Sequence, residues 1–314
     1  MSELLPGLII KAQSGFLTVH TEQGDIVSKL RGRLKQEQLD TDLVALGDRV
    51  DIRLLEDGSG LIEEVNERAR ALVRRAPRSY AHGKRLPAYQ DREIEQVLVA
   101  NPDQAVFVFA CAQPAPHRRM LDRFLVVAES CELPAVICAN KIDLVSTEEA
   151  RALFDLYADI GYAVIYTSAN TEAGVPELRS QLQGRISVLA GPSGVGKTSL
   201  LNAVQPGLGL HVRAVSEATA KGRHTTVFPQ LFPLDGDGWV ADTPGLRALA
   251  LFDIEPEELD GYFVDIAPLV AECAFSDCTH LHEPGCAVLA ALKAERLHAS
   301  RYDSYVRLRA SDAR

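Results

Sequence analysis

Short alternating stretches of apolar and polar residues occupy the first part of the chain. Residues 49–54 alternate at every position, and apolar runs at 8–10, 16–19 and 61–62 are separated by glycine-containing turns such as Ser14-Gly15 and Gly24-Asp25. A period of two is typical of half-buried strands. The spacing predicts a small β-barrel over residues 1–70. An oligonucleotide/oligosaccharide-binding (OB) fold and an SH3-like barrel both fit this pattern.

A different pattern begins near residue 94. Compact apolar runs alternate with segments of helical pattern. The runs are 105–110, 135–139, 163–166, 186–190 and 238–241, and the helical segments include 118–131 and 175–184. Strands that are apolar at nearly every position are typical of a parallel sheet covered on both faces. We therefore expect an α/β domain over 94–250. A mostly helical region follows over 251–314, with helical sequence from 286 onward.

Composition and charge narrow the class of protein. The chain has 314 residues, of which 46% are hydrophobic and 24% charged, so a disordered or fibrous protein is excluded. It contains no apolar stretch of the roughly 20 residues that a membrane-spanning helix needs, and its N-terminus lacks the pattern of a secretion signal. We expect a cytoplasmic protein that does not contact a membrane.

The net charge of −10 conceals a basic segment between the two patterns. The basic strip, residues 68–92, contains eight arginines and lysines and a single acid, Asp91. Such a strip could contact the phosphate backbone of a nucleic acid, while an acidic body limits non-specific binding. A solvated linker is the alternative interpretation. We assign 71–93 as a basic linker.

The run between the strand at 186–190 and the helical segment from Thr198 fits the P-loop pattern. Its glycines allow backbone N–H groups to surround phosphate oxygens, and the N-terminus of the next helix favours negative charge there. Lys197 is expected to reach the β- and γ-phosphates, and the Thr198 hydroxyl to bind Mg²⁺. The predicted phosphate-binding residues are Gly191, Ser193, Gly194, Val195, Gly196, Lys197, Thr198 and Ser199.

A second motif, Asn140-Lys141-Ile142-Asp143, indicates guanine as the base. It follows the strand at 135–139, and its carboxylate can accept hydrogen bonds from both N1–H and the exocyclic amine of guanine. Adenine lacks this pair of donors, so Asp143 discriminates against ATP. We expect Asn140 to support the loop and the base, and the Lys141 stem to lie along the purine.

Two further loops complete the predicted nucleotide site. Ser168 and Ala169 follow the strand at 163–166, and the Ala169 N–H is expected to face guanine O6. Asp242 and Gly245 belong to the D-x-x-G motif Asp242-Thr243-Pro244-Gly245, which follows the strand at 238–241. Asp242 is expected in the Mg²⁺ shell, and the Gly245 N–H is expected to sense the γ-phosphate.

The order of these motifs differs from that of ordinary small GTPases. The guanine motif begins 51 positions before the P-loop, whereas the P-loop usually comes first. A circular permutation can preserve such a site when the original termini lie close together. The D-x-x-G motif then leads directly into the C-terminal region, so loss of the γ-phosphate could move that region.

A polar stretch between the P-loop and the D-x-x-G motif contains a candidate catalytic residue. Leu246 stands where many GTPases carry the glutamine that orients the attacking water, and it has no group for that role. His224, in the stretch 221–226, could orient the water instead. The alternative is that His224 is an ordinary loop histidine and that hydrolysis depends on a partner.

Three of the six cysteines cluster with two histidines near the C-terminus. Cys273, Cys278 and Cys286 lie within fourteen residues, with His280 and His282 between them. In a reducing compartment this clustering favours a metal over a disulfide. Three thiolates and one imidazole complete a tetrahedral structural Zn²⁺ site, and the histidine disfavours an iron–sulfur cluster. Both histidines are candidates for the fourth ligand.

Together these residues resemble the ribosome small-subunit-dependent GTPase A family (RsgA, also called YjeQ), which is circularly permuted. The likeness covers almost the whole chain and includes Arg31-Gly32-Arg33-Leu34, Gly47-Asp48-Arg49-Val50, Asn101-Pro102-Asp103-Gln104, the nucleotide motifs and the segment 273–288. The resemblance implies an OB-fold barrel, a permuted GTPase domain and a zinc domain in which His280 is the ligand. It also implies catalytic roles for His224, Lys197 and Thr226. Thr226 is then the Mg²⁺-linked threonine beside Thr198 and Asp242, with Thr225 as the next choice.

The resemblance further implies a GTP hydrolase that acts in late maturation of the small ribosomal subunit and is stimulated by it. GTP as substrate, Mg²⁺ and one structural Zn²⁺ are the expected small ligands. The expected partners are the small subunit and its rRNA, bound by a monomer through the basic strip and the residues near 31–35. A nucleotide-gated RNA-binding scaffold with incidental turnover is the alternative, and an ATP-dependent P-loop enzyme is a third possibility.

Overall fold

The computed structural model describes residues 4–13, 15–32, 43–75, 95–208, 230–242 and 254–311. The strands in these ranges are β1 (Leu5–Gln13), β2 (Phe16–Thr21), β3 (Gly24–Leu30), β4 (Arg49–Leu54), β5 (Gly60–Val65), β6 (Ala71–Arg75), β7 (Glu95–Ala100), β8 (Gln104–Ala110), β9 (Ala135–Asn140), β10 (Ala163–Tyr166), β11 (Ile186–Ala190), β12 (Gln230–Leu234) and β13 (Gly238–Asp242). The α-helices are α1 (Arg118–Ser130), α2 (Thr147–Asp159), α3 (Val175–Leu182), α4 (Lys197–Val204), α5 (Ala267–Val270), α6 (Ala287–Lys293) and α7 (Ala299–Ser311).

These elements belong to two compact units, each assembled from separated stretches of chain. The first comprises the described parts of Met1–Gln104, Leu182–Leu189 and Arg213–Leu246. The second comprises the described parts of Ala105–Gln181, Ala190–Val212 and Arg247–Arg314. The domain boundaries at 70, 93 and 250 stay a prediction. No helix among the described residues is long and apolar enough to cross a membrane.

Five strands of the first unit close into a barrel. β1 pairs antiparallel with both β2 and β4, and β2 with β3. β5 closes the ring, parallel to β3 and antiparallel to β4. This order is that of an OB fold and excludes the SH3-like alternative. The predicted alternation in β4 is confirmed up to Arg53, because Val50 and Ile52 are fully buried in the barrel core while Arg49 is exposed; the apolar Leu54, which ends the strand, is exposed against the pattern.

The sequence pattern did not reveal β3. Gly24-Asp25 was expected to be a turn, but the turn is at 22–23 and Gly24 begins the strand. The Thr21 hydroxyl donates to the Gly24 carbonyl at 2.8 Å and closes this hairpin. β3 places the polar Ser28 inside the barrel and the apolar Val27 outside, at 54% exposure. Its polarity therefore opposes the pattern by which a strand is recognised.

The start of the predicted linker is a strand. β6 pairs antiparallel with β7 in a two-stranded sheet, and Leu72 and Val99 on facing positions are buried. The basic strip therefore begins in ordered structure at Arg68, Arg70 and β6, and its residues 76–92 lie outside the described ranges.

The predicted apolar runs are strands in both units. In the second unit β8, β9 and β10 pair in parallel, and every position of β8 is buried. In the first unit β11 is parallel to β13, as expected. β12 was not predicted; it pairs antiparallel with β13 and meets β1 of the barrel at Lys11 and Gln230. The β12–β13 hairpin is therefore paired with a strand of the barrel, and its last residue, Asp242, begins the D-x-x-G motif.

The regular secondary structure of the C-terminal region is helical, as predicted, and no strand occurs among its described residues, 254–311. Its core is formed by residues such as Phe263, Ile266, Val288 and Tyr305, each fully buried. A buried arginine, Arg301 on α7, attaches this region to the rest of the second unit.

Arg301 lies among two carboxylates and an aromatic ring. Its Nη1 donates to Asp122 of α1 at 2.6 Å, its Nη2 donates to Asp265 at 2.8 Å, and its guanidinium lies 4.6 Å from the Phe263 ring centroid. Burial alone lowers the pKa of this guanidinium, but the hydrogen bonds and charges of Asp265 and Asp122 raise it on balance. Tyr157 of α2 also donates to Asp122, at 3.0 Å. α1, α2 and α7 therefore share one buried polar network.

Candidate functional site

The P-loop connects β11 to α4, as its motif predicts. A Cβ on Gly191 would lie 2.1 Å from the Val108 carbonyl oxygen, and one on Gly196 would lie 2.7 Å from Asn140 Nδ2. Both glycines have positive φ, 150° and 94°. They are therefore required by close packing as well as by backbone conformation. The Lys197 side chain folds back on the P-loop, where its Nζ donates to the carbonyls of Gly191 and Pro192 at 2.7 and 2.8 Å.

The guanine motif holds the P-loop from the side. The Asn140 side chain is buried, and its Nδ2 donates to the Val195 carbonyl at 2.8 Å. The next residue, Lys141, donates from Nζ to the Gly194 carbonyl at 2.7 Å and to the Gln113 carbonyl. Two consecutive side chains of the base-recognition motif therefore fix two consecutive carbonyls of the phosphate-binding motif.

The third loop supports the first two through hydroxyl groups. The Thr167 hydroxyl donates to Asn140 Oδ1 at 3.1 Å and orients the amide that binds Val195. The Ser168 hydroxyl donates to Asp143 Oδ1 at 2.6 Å. Asp143 is exposed, so its other oxygen can face a ligand, and Ala169 is partly exposed beside it. Sequence reasoning did not identify Thr167, because its role depends on a neighbour 27 positions away.

The remaining predicted nucleotide residues are described in part or not at all. Ser193, Thr198 and Ser199 lie in the P-loop and the first turn of α4. Asp242 is the last residue of β13, of which the backbone is described. His224, Thr225, Thr226 and Gly245 lie outside the described residues. Their roles stay predictions.

The cysteine–histidine cluster assembles as a potential metal site. One donor atom from each of Cys273, Cys278, His280 and Cys286 lies within 4.8 Å of all the others. His280 Nδ1 is 3.5 Å from Cys273 Sγ and 3.4 Å from Cys286 Sγ, and the two sulfurs are 4.0 Å apart. A tetrahedral Zn²⁺ site with Zn–S of about 2.3 Å and Zn–N of about 2.0–2.1 Å requires about 3.5 Å between S and N and about 3.8 Å between sulfurs. The cluster therefore fits zinc.

Local structure selects His280 as the fourth member. It is fully buried with a left-handed backbone, φ 60°, whereas His282 is exposed and not part of the cluster. Burial raises the pKa of the Cys278 thiol to about 12, so a buried thiolate there needs a cation beside it.

A carboxylate and two tyrosines support the loop that carries His280. Glu283 accepts the backbone N–H groups of Thr279, Leu281 and His282 at 3.0–3.1 Å. Tyr302 of α7 donates to the His280 carbonyl at 2.7 Å, and Tyr305 donates to the Thr279 carbonyl at 3.0 Å. The C-terminal helix α7 therefore binds the backbone of the loop that carries His280.

Two arginines that were candidates for RNA contact have protein partners. Arg68, in the basic strip, donates from Nε and Nη2 to the buried Asp48 at 2.7 and 2.8 Å. Arg31 pairs with Glu63, which also pairs with Arg53 at 2.6 Å. Arg68 therefore supports the fold at the edge of the barrel, while the side chain of Arg31 remains 42% exposed.

Comparison with known proteins gives a consistent result. The model of the RsgA N-terminal domain matches residues 6–62, and the model of the RsgA GTPase matches residues 67–252. The chain is 45% identical over 312 residues to the small ribosomal subunit biogenesis GTPase RsgA of Gemmatimonas aurantiaca, covering 98% of each protein. It is 40% identical over 302 residues to the protein of the same name from Moorella thermoacetica, covering 96% of this chain and 95% of that one.

Solved structures agree with these relatives over the full length. YjeQ from Thermotoga maritima matches with a TM-score of 0.79 and 35% identity, over 99% of each chain. YloQ, a circularly permuted GTPase, matches with a TM-score of 0.74 and 32% identity, over 99% of this chain and 96% of that one. The predicted barrel, permuted GTPase fold and family resemblance are thereby confirmed. The chain belongs to the RsgA GTPase family.

Proposed function

We propose that this chain hydrolyses GTP in the biogenesis of the small ribosomal subunit. The observation that carries the proposal is the pair of contacts from Asn140 and Lys141 to the carbonyls of Val195 and Gly194. They join a guanine-specific motif to a phosphate-binding loop. A P-loop protein without a guanine site would not need side-chain contacts between these two motifs. Relatives named as small ribosomal subunit biogenesis GTPases support the cellular role.

The base-recognition residues and the P-loop lysine have separate roles in this function. Asp143, oriented by Ser168, binds N1–H and the exocyclic amine of guanine, and the Ala169 N–H binds O6. Lys197 exchanges the carbonyls of Gly191 and Pro192 for β- and γ-phosphate oxygens when GTP binds. Because those carbonyls already bind the ammonium in the structure, Lys197 stays beside the loop and little side-chain entropy is lost on binding.

Hydrolysis requires a metal ion and an oriented water. Thr198, Thr226 and Asp242 would hold Mg²⁺, with Thr225 as the alternative threonine; this ion neutralises charge that develops on the phosphates. His224 orients the attacking water, because Leu246 cannot. The Gly245 N–H responds to the γ-phosphate.

The small subunit is the partner, and its rRNA is the contact that charge favours. The arginines and lysines of the basic strip other than Arg68 supply phosphate contacts, together with the residues near 31–35. The protein acts as a monomer in the cytoplasm. Cys273, Cys278, His280 and Cys286 bind one structural Zn²⁺, which completes the C-terminal region.

The test is GTP hydrolysis by the purified protein with and without purified small subunits, at several salt concentrations. We expect strong stimulation that declines as salt rises, because phosphate contacts release counterions. Stimulation that is independent of salt would contradict the basic strip as an anchor. No stimulation, with GTP binding intact, would contradict the small subunit as the activating partner.

A swap of base specificity tests the guanine assignment. Xanthine keeps N1–H but replaces the amine of guanine with a carbonyl, which an amide can satisfy and a carboxylate cannot. Asp143→Asn should therefore weaken GTP binding and strengthen xanthosine triphosphate binding, each by about 10-fold or more. Asp159→Asn, at the exposed end of α2, is the control and should change neither. Unchanged GTP affinity in Asp143→Asn would favour an ATP-dependent P-loop enzyme.

His224→Ala separates the enzyme from the scaffold alternative. If hydrolysis drives release, this variant should bind the small subunit with GTP, lose stimulated hydrolysis and remain bound. Normal release without hydrolysis would instead identify a nucleotide-gated RNA-binding scaffold whose turnover is incidental.

A further inference from the structure

The segment that follows the D-x-x-G region contains a carboxylate directed at the metal cluster. Residues 254–263 are the first described after that region, and Leu259–Tyr262 form a 3-10 turn. Within the turn, Asp260 Oδ2 lies 2.9 Å from His280 Nε2. The other ring nitrogen, Nδ1, faces Cys273 and Cys286. The imidazole therefore lies between the cluster and Asp260.

This arrangement favours one tautomer of the ring. A histidine that binds a metal through Nδ1 must carry its proton on Nε2, and a carboxylate that accepts this proton holds both the tautomer and the ring plane. The Asp260 side chain is only 15% exposed and the His280 side chain is fully buried, so water competes little for the contact. Hydrophobic packing fixes the turn on both sides of Asp260, because Leu259 and Phe263 are buried in the C-terminal core.

We propose that Asp260 is a positioning residue for the metal site, acting through His280, and that the bound metal thereby holds the segment 254–263. The proposal rests on the zinc site proposed above. It extends that site beyond its four ligands to the chain that leaves the D-x-x-G motif. Metal occupancy then determines how firmly the segment after this motif is attached to the C-terminal region.

The first test is metal affinity, measured in the full-length protein without nucleotide. Zn²⁺ binding is followed by competition with a chromophoric chelator, and Co²⁺ loading by its thiolate and d–d absorption bands. Asp260→Ala should weaken Zn²⁺ binding about 10–100-fold. Asp260→Asn should fall between Asp260→Ala and the unmodified protein, because an amide oxygen accepts the same proton without a negative charge. The control is Asp277→Ala, an exposed aspartate beside Cys278, which should not change affinity.

A second measurement separates positioning from a general loss of stability. Thermal unfolding is recorded for the unmodified protein and Asp260→Ala, each metal-free and Zn²⁺-loaded. A positioning role predicts that the variant gains less from Zn²⁺ than the unmodified protein does, because ligand stabilisation depends on affinity. An equal decrease in both forms, or Zn²⁺ affinity within twofold of the unmodified protein, would overturn the proposal.

Hydrogen exchange tests the attachment of the segment. Exchange in 254–263 should be slow in the Zn²⁺-loaded protein and should increase when Zn²⁺ is removed. In Asp260→Ala it should be fast in both forms. Segment exchange that is insensitive to Zn²⁺ in the unmodified protein contradicts the proposal, as does a failure of that protein to bind Zn²⁺. These readouts are independent of GTP hydrolysis, so failure of the GTPase assignment would be recognised separately.

Discussion

In the nucleotide loops, side chains of one motif bind the backbone of another, whereas the cysteine–histidine cluster draws all four proposed metal ligands from a single stretch of fourteen residues. Asn140 and Lys141 reach carbonyls of the P-loop, and Thr167 reaches Asn140. In the cluster, the four candidate donor atoms lie within 4.8 Å of one another.

This difference implies two kinds of dependence on ligand. The described nucleotide loops are held by hydrogen bonds between protein groups, so we expect these contacts to persist when GTP leaves. The thiols and the imidazole of the cluster have only long contacts among themselves, 3.4–4.0 Å between the paired donor atoms, so we expect the fold around them to depend on the Zn²⁺ proposed above. Removing a side-chain contact should therefore weaken GTP binding in the nucleotide loops, whereas removing a proposed metal ligand should unfold the region around the cluster. The predictions below test this contrast, from the largest expected effect to the smallest.

The largest effect is expected from Cys278→Ser, which removes one of the four proposed metal ligands. Zinc sites of this type contribute about 10–16 kcal/mol of apparent binding free energy, which is also folding free energy for the surrounding segment. We expect loss of bound Zn²⁺ and of hydrogen-exchange protection over 254–311, with GTP affinity within about threefold of the unmodified protein. Cys131→Ser, just after α1, is the control and should retain Zn²⁺. A large loss of GTP affinity would show that the two regions are not independent.

The next effect is on the network that joins the C-terminal helix to α1. Asp122→Ala leaves the buried Arg301 with Asp265 as its remaining carboxylate and removes the acceptor of Tyr157. Breaking a buried ion pair typically costs about 3–5 kcal/mol. We expect a loss of this size in the free energy of unfolding of Asp122→Ala, and urea unfolding measures it. Asp303→Ala is the control, because its pair with Arg307 is more than half exposed and should contribute under about 1 kcal/mol. Similar losses for both variants would contradict the importance of burial.

In the nucleotide loops, Asn140→Ala should reduce binding without unfolding the chain. It leaves the Val195 carbonyl and the Thr167 hydroxyl without their Asn140 partner, at about 1–3 kcal/mol. We expect GTP affinity to fall about 10–100-fold, measured by calorimetry, with Zn²⁺ content unchanged. Loss of Zn²⁺ from this variant would refute the contrast between the two regions.

The smallest effect is expected at the end of the P-loop helix. Arg179 of α3 donates from Nε to the Val204 carbonyl at 2.7 Å and from Nη2 to the Ala203 carbonyl at 3.3 Å. These carbonyls belong to the last turn of α4, where a cation also interacts favourably with the helix dipole. Arg179→Ala should lower the free energy of unfolding by about 1 kcal/mol in urea titration, and Arg179→Lys by less. An increase in stability would contradict this capping role.

Elements with a clear pattern were predictable from the chain alone. The apolar run of β8 and the alternation of β4 up to Arg53 matched the structure because the burial of these positions follows their own residues. β3 was missed because Ser28 points inward and donates to the Ile26 carbonyl at 3.2 Å, an interior position that hydrophobicity does not mark. β12 was missed because the pairing that defines it comes from β13 and from the distant β1.

The sequence by itself determined the chemistry: a P-loop, a guanine motif in permuted order, and a cluster of three cysteines with histidine. These signals are local, since each motif spans a few residues whose spacing already reflects the ligand. Only the tertiary structure decided which groups support them, because the supporting pairs are remote in sequence. Asp260 and His280 are 20 positions apart, Asn140 and Val195 are 55 apart, and Asp122 and Arg301 are 179 apart. Contacts of this kind form only after distant segments have packed, so no short stretch of sequence encodes them.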